Sequence, residues 1–278
     1  VDESLPDTLA AYTDAMKAAG NSRDTVRSRL TGVRLLARSA DTDPRTCTAE
    51  QITSWLAGDL APWTRLTYYS HARAWFGFLL DTDRRIDDPT RRIRVPKKPR
   101  GIPQPLPAND VTVLLEVAKG HPRSFLLLGV YAGLRAHEIA KVRGVDVSAT
   151  GIRVVGKGGY VAVVPTHPLI WEDAQNYPRD MRFWFPGNLG SQSPHIQAAT
   201  VTRAVKQVMV ACGVQGHTHM LRHRFGTDAY AVDHDILVTQ QLLRHASPAT
   251  TAGYALVESD RLRATVLRLG RQTDERPA

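Results

Sequence analysis

Residues 218–227 read THMLRHRFGT. On a helix, His219 and Arg222 stand three apart and share a face, while Leu221 and Phe225, four apart, share the buried side. A histidine beside an arginine suits phosphate chemistry: the arginine stabilises charge, and the histidine moves a proton or donates a hydrogen bond. A metal site is the competing reading, because His217, His219, His223 and His245 are numerous. Against it, the cation of Arg222 inside the cluster repels a metal ion, and no Cys or acidic residue sits at ligand spacing.

Three further segments carry polar residues of interest. In LLRHASPATTAGY (242–254), His245 ends one helix, Pro248 marks a turn and Tyr254 lies in the next helix. In AGLRAHEIA (132–140), Arg135 follows a glycine turn and opens a helix, where its guanidinium can point at a bound anion. In VVGKGGYVAVVP (154–165), Lys157 sits at the tip of a glycine-rich hairpin, where its ammonium can reach a leaving oxygen. Each has a plainer explanation when taken singly. Tyr254 reads as a packed core tyrosine, Arg135 as the partner of Glu138 one turn on, and Lys157 as a solvated tip.

Outward from these segments, the pattern is mainly helical. Leu5 to Ala19 is amphipathic and ends at Gly20-Asn21; Ser22 caps a second helix with Val26, Leu30, Val33 and Ala37 at helical spacing. Thr48 with Gln51 fits a capping box, and Pro62 opens a helix over Trp63 to Leu80. Arg84 to Arg100 then carries Arg84, Arg85, Arg91, Arg92, Arg94, Lys97, Lys98 and Arg100 against Asp87 and Asp88, and is broken by prolines. It reads as an extended basic linker, touching DNA or simply solvated. Helices follow from Pro107 to Ala118, Ser124 to Ala132 and Arg135 to about Val142. A β-hairpin spans Gly151 to Pro165, and helical segments cover about 167–177, 195–212, 219–231, 235–244, 249–257 and 260–269. The expected organisation is a four-helix domain over 1–90, a basic Pro-rich linker over 91–105, and a mostly helical domain with a small antiparallel sheet over 106–278.

Lys and Arg number 36 against 27 Asp and Glu, a formal net charge of +9. That balance suits a polyanionic partner, nucleic acid or an anionic membrane surface. Cys47 and Cys212 lie far apart, so a disulfide framework is not expected and a reducing compartment is. No signal peptide is evident. The apolar run Phe125 to Leu134 is about half the length of a membrane span and reads as a buried helix. The expectation is a cytoplasmic or nucleoid-associated protein without a membrane partner.

The order Arg, Lys, His-x-x-Arg, His, Tyr across the four quoted segments resembles the tyrosine recombinase (phage integrase) family, over most of residues 105–258. The helical first domain with its linker is similar to that family's core-site-binding domain, and the whole looks like a minimal two-domain member without an arm-binding domain. The resemblance implies a metal- and ATP-independent enzyme, without cofactors, that cuts and rejoins double-stranded DNA attachment sites through a covalent 3′-phosphotyrosine. It implies catalytic roles for Arg135, Lys157, His219, Arg222, His245 and Tyr254, with Glu138 supporting. The charge density of the linker points to DNA contacts from Arg91, Arg92, Arg94, Lys97, Lys98 and Arg100. A homotetramer on DNA, a Holliday junction intermediate and a directionality factor belong to the same expectation, as does the docking of a helix bearing Leu262, Val266 and Leu269 on a neighbouring protomer or in cis. The expected role is a phage or mobile-element integrase, with a Xer-type dimer resolvase as the alternative. A type IB topoisomerase, a nuclease and a non-catalytic DNA-binding regulator are the rivals. Two departures stand out: Arg244 occupies the place where the family usually has Gly, and Tyr160 and Ala162 stand where basic residues are common.

Overall fold

The computed structural model describes residues 3–99, 103–156, 159–188, 190 and 193–245, the side chain of Asp233 excepted. The chain divides into two compact units, Val1–Arg100 and Gly101–Ala278. Among the described residues, no helix is long and apolar enough to cross a membrane.

The first unit is built from four helices: α1 (Leu5–Ala18), α2 (Arg23–Ala40), α3 (Ala49–Ala57) and α4 (Pro62–Asp81). Polar residues before the first three satisfy an orphan N–H group of the first turn. Ser22 accepts from the Thr25 N–H, and Thr48 and Gln51 form the reciprocal capping box. Helix α4 starts at Pro62, which has no N–H to leave unpaired. Each helix turns one stripe inward: Tyr12 and Met16, Val33 and Leu36, Ile52 and Leu56, then Trp75, Phe76 and Leu79. Burying one such side chain stabilises the fold by about 1.5–3 kcal/mol. The buried Trp75 indole also donates to the carbonyl of Pro44 at 2.9 Å. Helices α2 and α4 touch at Gly32, where a Cβ would lie 2.3 Å from His71 Nδ1.

The extended linker expected from Arg84 onward begins later than its charge and prolines suggest. The backbone N–H groups of Arg84 and Arg85 donate to the carbonyl of Leu79. Pro89–Arg92 forms a 3₁₀ turn capped by Asp88, with Pro89 and Thr90 buried, and Ile93 packs on the bundle core. The apolar Pro89 and Ile93 outweigh the charge around them and hold the chain down. Arg91, Arg92, Arg94, Lys97 and Lys98 remain exposed, while Arg100 lies outside the described residues.

The second unit surrounds α6 (Gly120–Tyr131), whose Phe125 to Val130 face is almost wholly buried. Around it stand α5 (Ala108–Val117), α7 (Ala136–Ile139), α8 (Pro168–Asp173), α9 (Ala198–Ala211), α10 (His219–Asp233) and α11 (Ile236–Leu243). Strands β1 (Gly151–Val155) and β2 (Val161–Pro165) form an antiparallel hairpin in the register Ile152↔Val164 and Val154↔Ala162, with Ile152, Val154 and Val164 buried. Helix α6 begins earlier than its apolar run, because Pro122 fits its first turn. Helix α7 is four residues long, where the sequence suggested a helix to about Val142. Tertiary pairing ends it: the Val142 carbonyl accepts from Trp184 N–H, and the Gly144 N–H donates to Arg182. The helical segments expected over 249–257 and 260–269, including Leu262, Val266 and Leu269, lie outside the described residues.

Helix α6 and the loop that follows it meet α10 at two close contacts, Gly129 against Leu221 and Gly133 against Phe225. Gly133 has φ +59°, and a Cβ there would lie 2.4 Å from the Phe225 ring. Gly133→Ala is therefore expected to destabilise this unit by about 1–3 kcal/mol through overpacking alone, with left-handed strain added to it. Urea denaturation checks this, and an unchanged midpoint would remove the steric argument.

Candidate active site

The loop 132–135 joins α6 to α7. Arg135 stands at the N-cap of α7, and the Glu138 carboxylate reaches back to accept its backbone N–H at 2.8 Å. Glu138 also accepts from the Arg135 guanidinium at 3.2 Å. The pairing expected one turn apart thus forms, and it leaves about a third of the arginine side chain exposed (34%). Glu138 itself is buried.

Helix α10 supplies the second arginine. Leu221 faces α6, which turns Arg222 inward, and Arg222 is 1% exposed. One terminal nitrogen donates to the carbonyl of Gly133 and the other to the carbonyl of Leu243. Arg222 therefore joins the loop carrying Arg135 to the end of α11, which carries His245. His219 opens the same helix, and its ring meets that of His223 edge-on at 4.6 Å.

The end of α11 holds an arrangement the motifs did not announce. Arg244 adopts the left-handed conformation (φ 53°, ψ 43°), the backbone that glycine takes most readily. The turn before His245 thus has a glycine's geometry with an arginine in it. The Arg244 side chain is buried, donating to Glu138 at 3.0 Å, to Gly133 O at 3.2 Å and to Leu242 O at 3.1 Å. His245 is held by Gln240, whose side-chain amide donates to its carbonyl and whose own carbonyl accepts its N–H, both at 3.1 Å.

Two openings flank Arg135. A cavity of about 960 Å³ is lined by Arg135, His137, Gly156, Tyr160, Arg244 and His245, among others. A smaller cleft of about 220 Å³ is lined by Arg135, His217 and His219. Arg135, His219, Arg222 and His245 are thus brought together, with Glu138 and Arg244 beneath. Lys157 and Tyr254 lie outside the described residues. The linker arginines and lysines belong to the other unit. Among the described residues, no group of three or more His, Cys, Asp or Glu is placed to hold a metal ion.

The Phage integrase family profile matches residues 104–261. The chain is 30% identical to Tyrosine recombinase XerC of Erythrobacter litoralis, over 95% of this chain and 90% of that one. It belongs to the tyrosine recombinase family of DNA strand-transfer enzymes. Two solved structures share its fold. One is the site-specific recombinase XerH bound to a palindromic difH substrate, with TM-score 0.72, 17% identity, and 95% of this chain and 84% of that one covered. The other is a lambda integrase tetramer bound to a Holliday junction, with TM-score 0.69, 16% identity, and 89% and 79% covered.

Electrostatics in this recombinase separates the charged groups from the neutral ones. Burial pushes the Glu138 carboxyl upward, but Arg244, then the Arg135 backbone and guanidinium, and Arg222 outweigh it and hold it below the usual range. The carboxylate stays ionised. The histidines move the other way. Burial, then the guanidinium groups of Arg222 and Arg135, lower His245 to about 4. Burial, then His219, lowers His223 to about 4. Burial, then Arg222 and Arg135, lowers His219, and burial lowers His137 against the opposing charge of Glu138. At neutral pH the rings are uncharged donors and acceptors among fixed cations.

Two residues lining the cavity have no functional role in the sequence reading, His137 and Arg244. His137 lies inside the Arg135 segment, between Arg135 and Glu138, but carries no assigned role there. Arg244 was visible only as a departure from glycine.

A histidine whose folded value lies below its unfolded value binds protons more readily when unfolded. The DNA-free recombinase is therefore expected to lose stability as pH falls from about 6.5 towards about 4, through His223 and His245. Denaturation midpoints across that window check it. His245→Gln should flatten the curve, and a slope unchanged by both His245→Gln and His223→Gln would refute the assignment.

Proposed function

We propose that this chain is a site-specific recombinase of attachment sites in duplex DNA, with Tyr254 as nucleophile. The observation that carries the reading is the convergence of Arg135, Arg222, His219 and His245 from three separate chain segments. A phosphodiester repels nucleophiles, and negative charge grows on its nonbridging oxygens as the nucleophile adds. Arg135, partly exposed, clamps those oxygens, and Arg222 adds charge from beneath. The Tyr254 oxygen attacks phosphorus in line, a 3′-phosphotyrosine bond forms and the bond to the 5′ oxygen breaks. His219 assists the departure of the tyrosine proton. Lys157, next in sequence after the cavity-lining Gly156, gives a proton to the leaving 5′ oxygen. His245, neutral, donates a hydrogen bond to the phosphate. The ester energy is kept in the adduct, so rejoining needs no ATP.

Duplex DNA is held by both units, with the exposed Arg91, Arg92, Arg94, Lys97 and Lys98, together with Arg100, on its phosphates. Synapsis uses a homotetramer on two duplexes, through a Holliday junction, in the cytoplasm or nucleoid, with a directionality factor setting the sense of the reaction. The biological role in this reading is integration of a phage or mobile element, favoured by the departures at Arg244, Tyr160 and Ala162. The likeness to a XerC over nearly the whole chain supports a second role, resolution of chromosome or plasmid dimers. Recombination between an attachment pair, set against recombination between two copies of one dimer-resolution site, separates the two.

Nicked candidate attachment-site DNA, incubated in EDTA, should give a protein–DNA adduct on a denaturing gel with wild type and none with Tyr254→Phe, which should still bind DNA. Site DNA bound but never joined by wild type would point to a DNA-binding regulator, and free ends without an adduct to a nuclease. Relaxation of plasmid lacking any site would point to a topoisomerase. Loss of Arg135 or of Arg222 should slow cleavage by roughly 10²–10³. Replacing Arg94, Lys97 and Lys98 with Ala should weaken binding and flatten its salt dependence, by about one unit of slope for each phosphate no longer neutralised. An unchanged slope would remove the linker from the interface.

A further inference from the structure

Arg244 is used by no step of the mechanism, yet beside Arg222 it is the most completely engaged cation of the site. Its side chain is 6% exposed, and its ion partner Glu138 is 1% exposed. Its backbone is in a conformation that disfavours any side chain beyond Cα. If this position served only to turn the chain after α11, glycine would do so with less strain. The strain is offset by what the guanidinium reaches: Glu138, the carbonyl of Gly133 and the carbonyl of Leu242.

The geometry at Glu138 shows what the Arg244 guanidinium does there. One carboxylate oxygen faces the Arg135 guanidinium and the other accepts from the Arg135 backbone and from Arg244. Without Arg244, a buried carboxylate would have Arg135 as its nearest cation and would draw that guanidinium in as a closed pair. With Arg244 in place, its charge is balanced from below. Arg222 and Arg244 also donate to the same carbonyl, that of Gly133, and so fix the loop immediately before Arg135. Three guanidinium groups against one carboxylate leave two positive charges for a phosphodiester whose own charge rises as the nucleophile adds.

We infer that Arg244 is a positioning residue for the phosphate site: it neutralises Glu138 from behind and fixes the Gly133 turn, so that the Arg135 guanidinium stays open to the scissile phosphate. The inference rests on the recombinase reading for the identity of that phosphate, and on the ion pair alone for the existence of an anion site. Lysine cannot replace it fully, since one ammonium does not span the carboxylate and two carbonyls as a planar fork does.

The test uses the full chain with Arg244→Gly, Arg244→Lys, Glu138→Gln and the double variant Arg244→Gly/Glu138→Gln. Glycine suits the left-handed turn, so Arg244→Gly keeps the backbone, and a Gln carbonyl oxygen at position 138 still accepts the Arg135 N–H. Two readouts are taken, inorganic phosphate binding by calorimetry and the rate of adduct formation on nicked site DNA. Arg244→Gly is expected to weaken phosphate binding about tenfold, a factor worth about 1.4 kcal/mol, and to slow adduct formation by a similar factor with DNA affinity kept. Arg244→Lys falls between. Adding Glu138→Gln to Arg244→Gly restores both, because the carboxylate that captures Arg135 is gone. Glu138 is faced by Arg135 and His137 from α7, Arg222 from α10 and Arg244 from the end of α11. Arg244 is the strongest charge holding it ionised, so in Arg244→Gly the carboxyl takes up its proton at higher pH, and the deficit in adduct formation relative to wild type should narrow as pH falls through that protonation.

Phosphate binding by Arg244→Gly equal to or tighter than wild type would overturn the inference and leave Arg244 as a turn residue. A loss not relieved by Glu138→Gln would overturn it also, by showing that the defect comes from the turn. Absence of phosphate binding in wild type removes the anion site and the inference with it. If the phosphate results hold while wild type forms no adduct on site DNA, the DNA-cutting reading fails and the role of Arg244 at an anion site stands.

Discussion

An arginine sealed inside a protein is tolerable only when its donors are met, because an uncompensated buried charge costs several kcal/mol. Arg222 answers much of that demand by placing its two terminal nitrogens on the carbonyls of Gly133 and Leu243. Those carbonyls lie at the end of α6 and the end of α11, and Arg222 lies in α10. One side chain thereby specifies how three helices converge. Gly133 must be glycine for its turn and for the approach of Phe225. Arg135 inherits its place from that turn, and His245 inherits its place from the other anchored carbonyl. The site is the outer face of a buried hydrogen-bond junction.

The junction also explains the division of charge. The cations are arginines, which stay protonated even when buried, and the carboxylate among them stays ionised because they outnumber it. The histidines share the same field and respond oppositely, since an imidazolium among guanidinium groups is disfavoured by burial and repulsion alike. Permanent charge and transferable protons are thus assigned to different residue types by one local environment.

Much of this was legible in the sequence because it depends on short-range chemistry. Ser22, Thr48 with Gln51, and Pro62 mark helix starts through groups within one turn, and alternation with a glycine-rich turn marks the hairpin. The candidate site residues were legible as a pattern of types in order, although no one of them was informative singly. What was illegible depends on partners distant in the chain. The shortness of α7 follows from pairing with residues near Trp184, the docking of Pro89 and Ile93 from a bundle surface formed earlier in the chain, and the ion pair of Arg244 from a carboxylate 106 positions away. Lys157 and Tyr254 were read from sequence pattern alone, and both lie outside the described residues.

The pair formed by Arg244 and Glu138 also constrains how this sequence can drift. Removing one member of a buried ion pair typically costs about 3–5 kcal/mol, whereas exchanging both for neutral groups of similar volume is often close to neutral. Single replacements at either position therefore meet a barrier that paired replacements avoid. The two positions form one heritable unit, and among descendants of this chain they are expected to vary together or not at all.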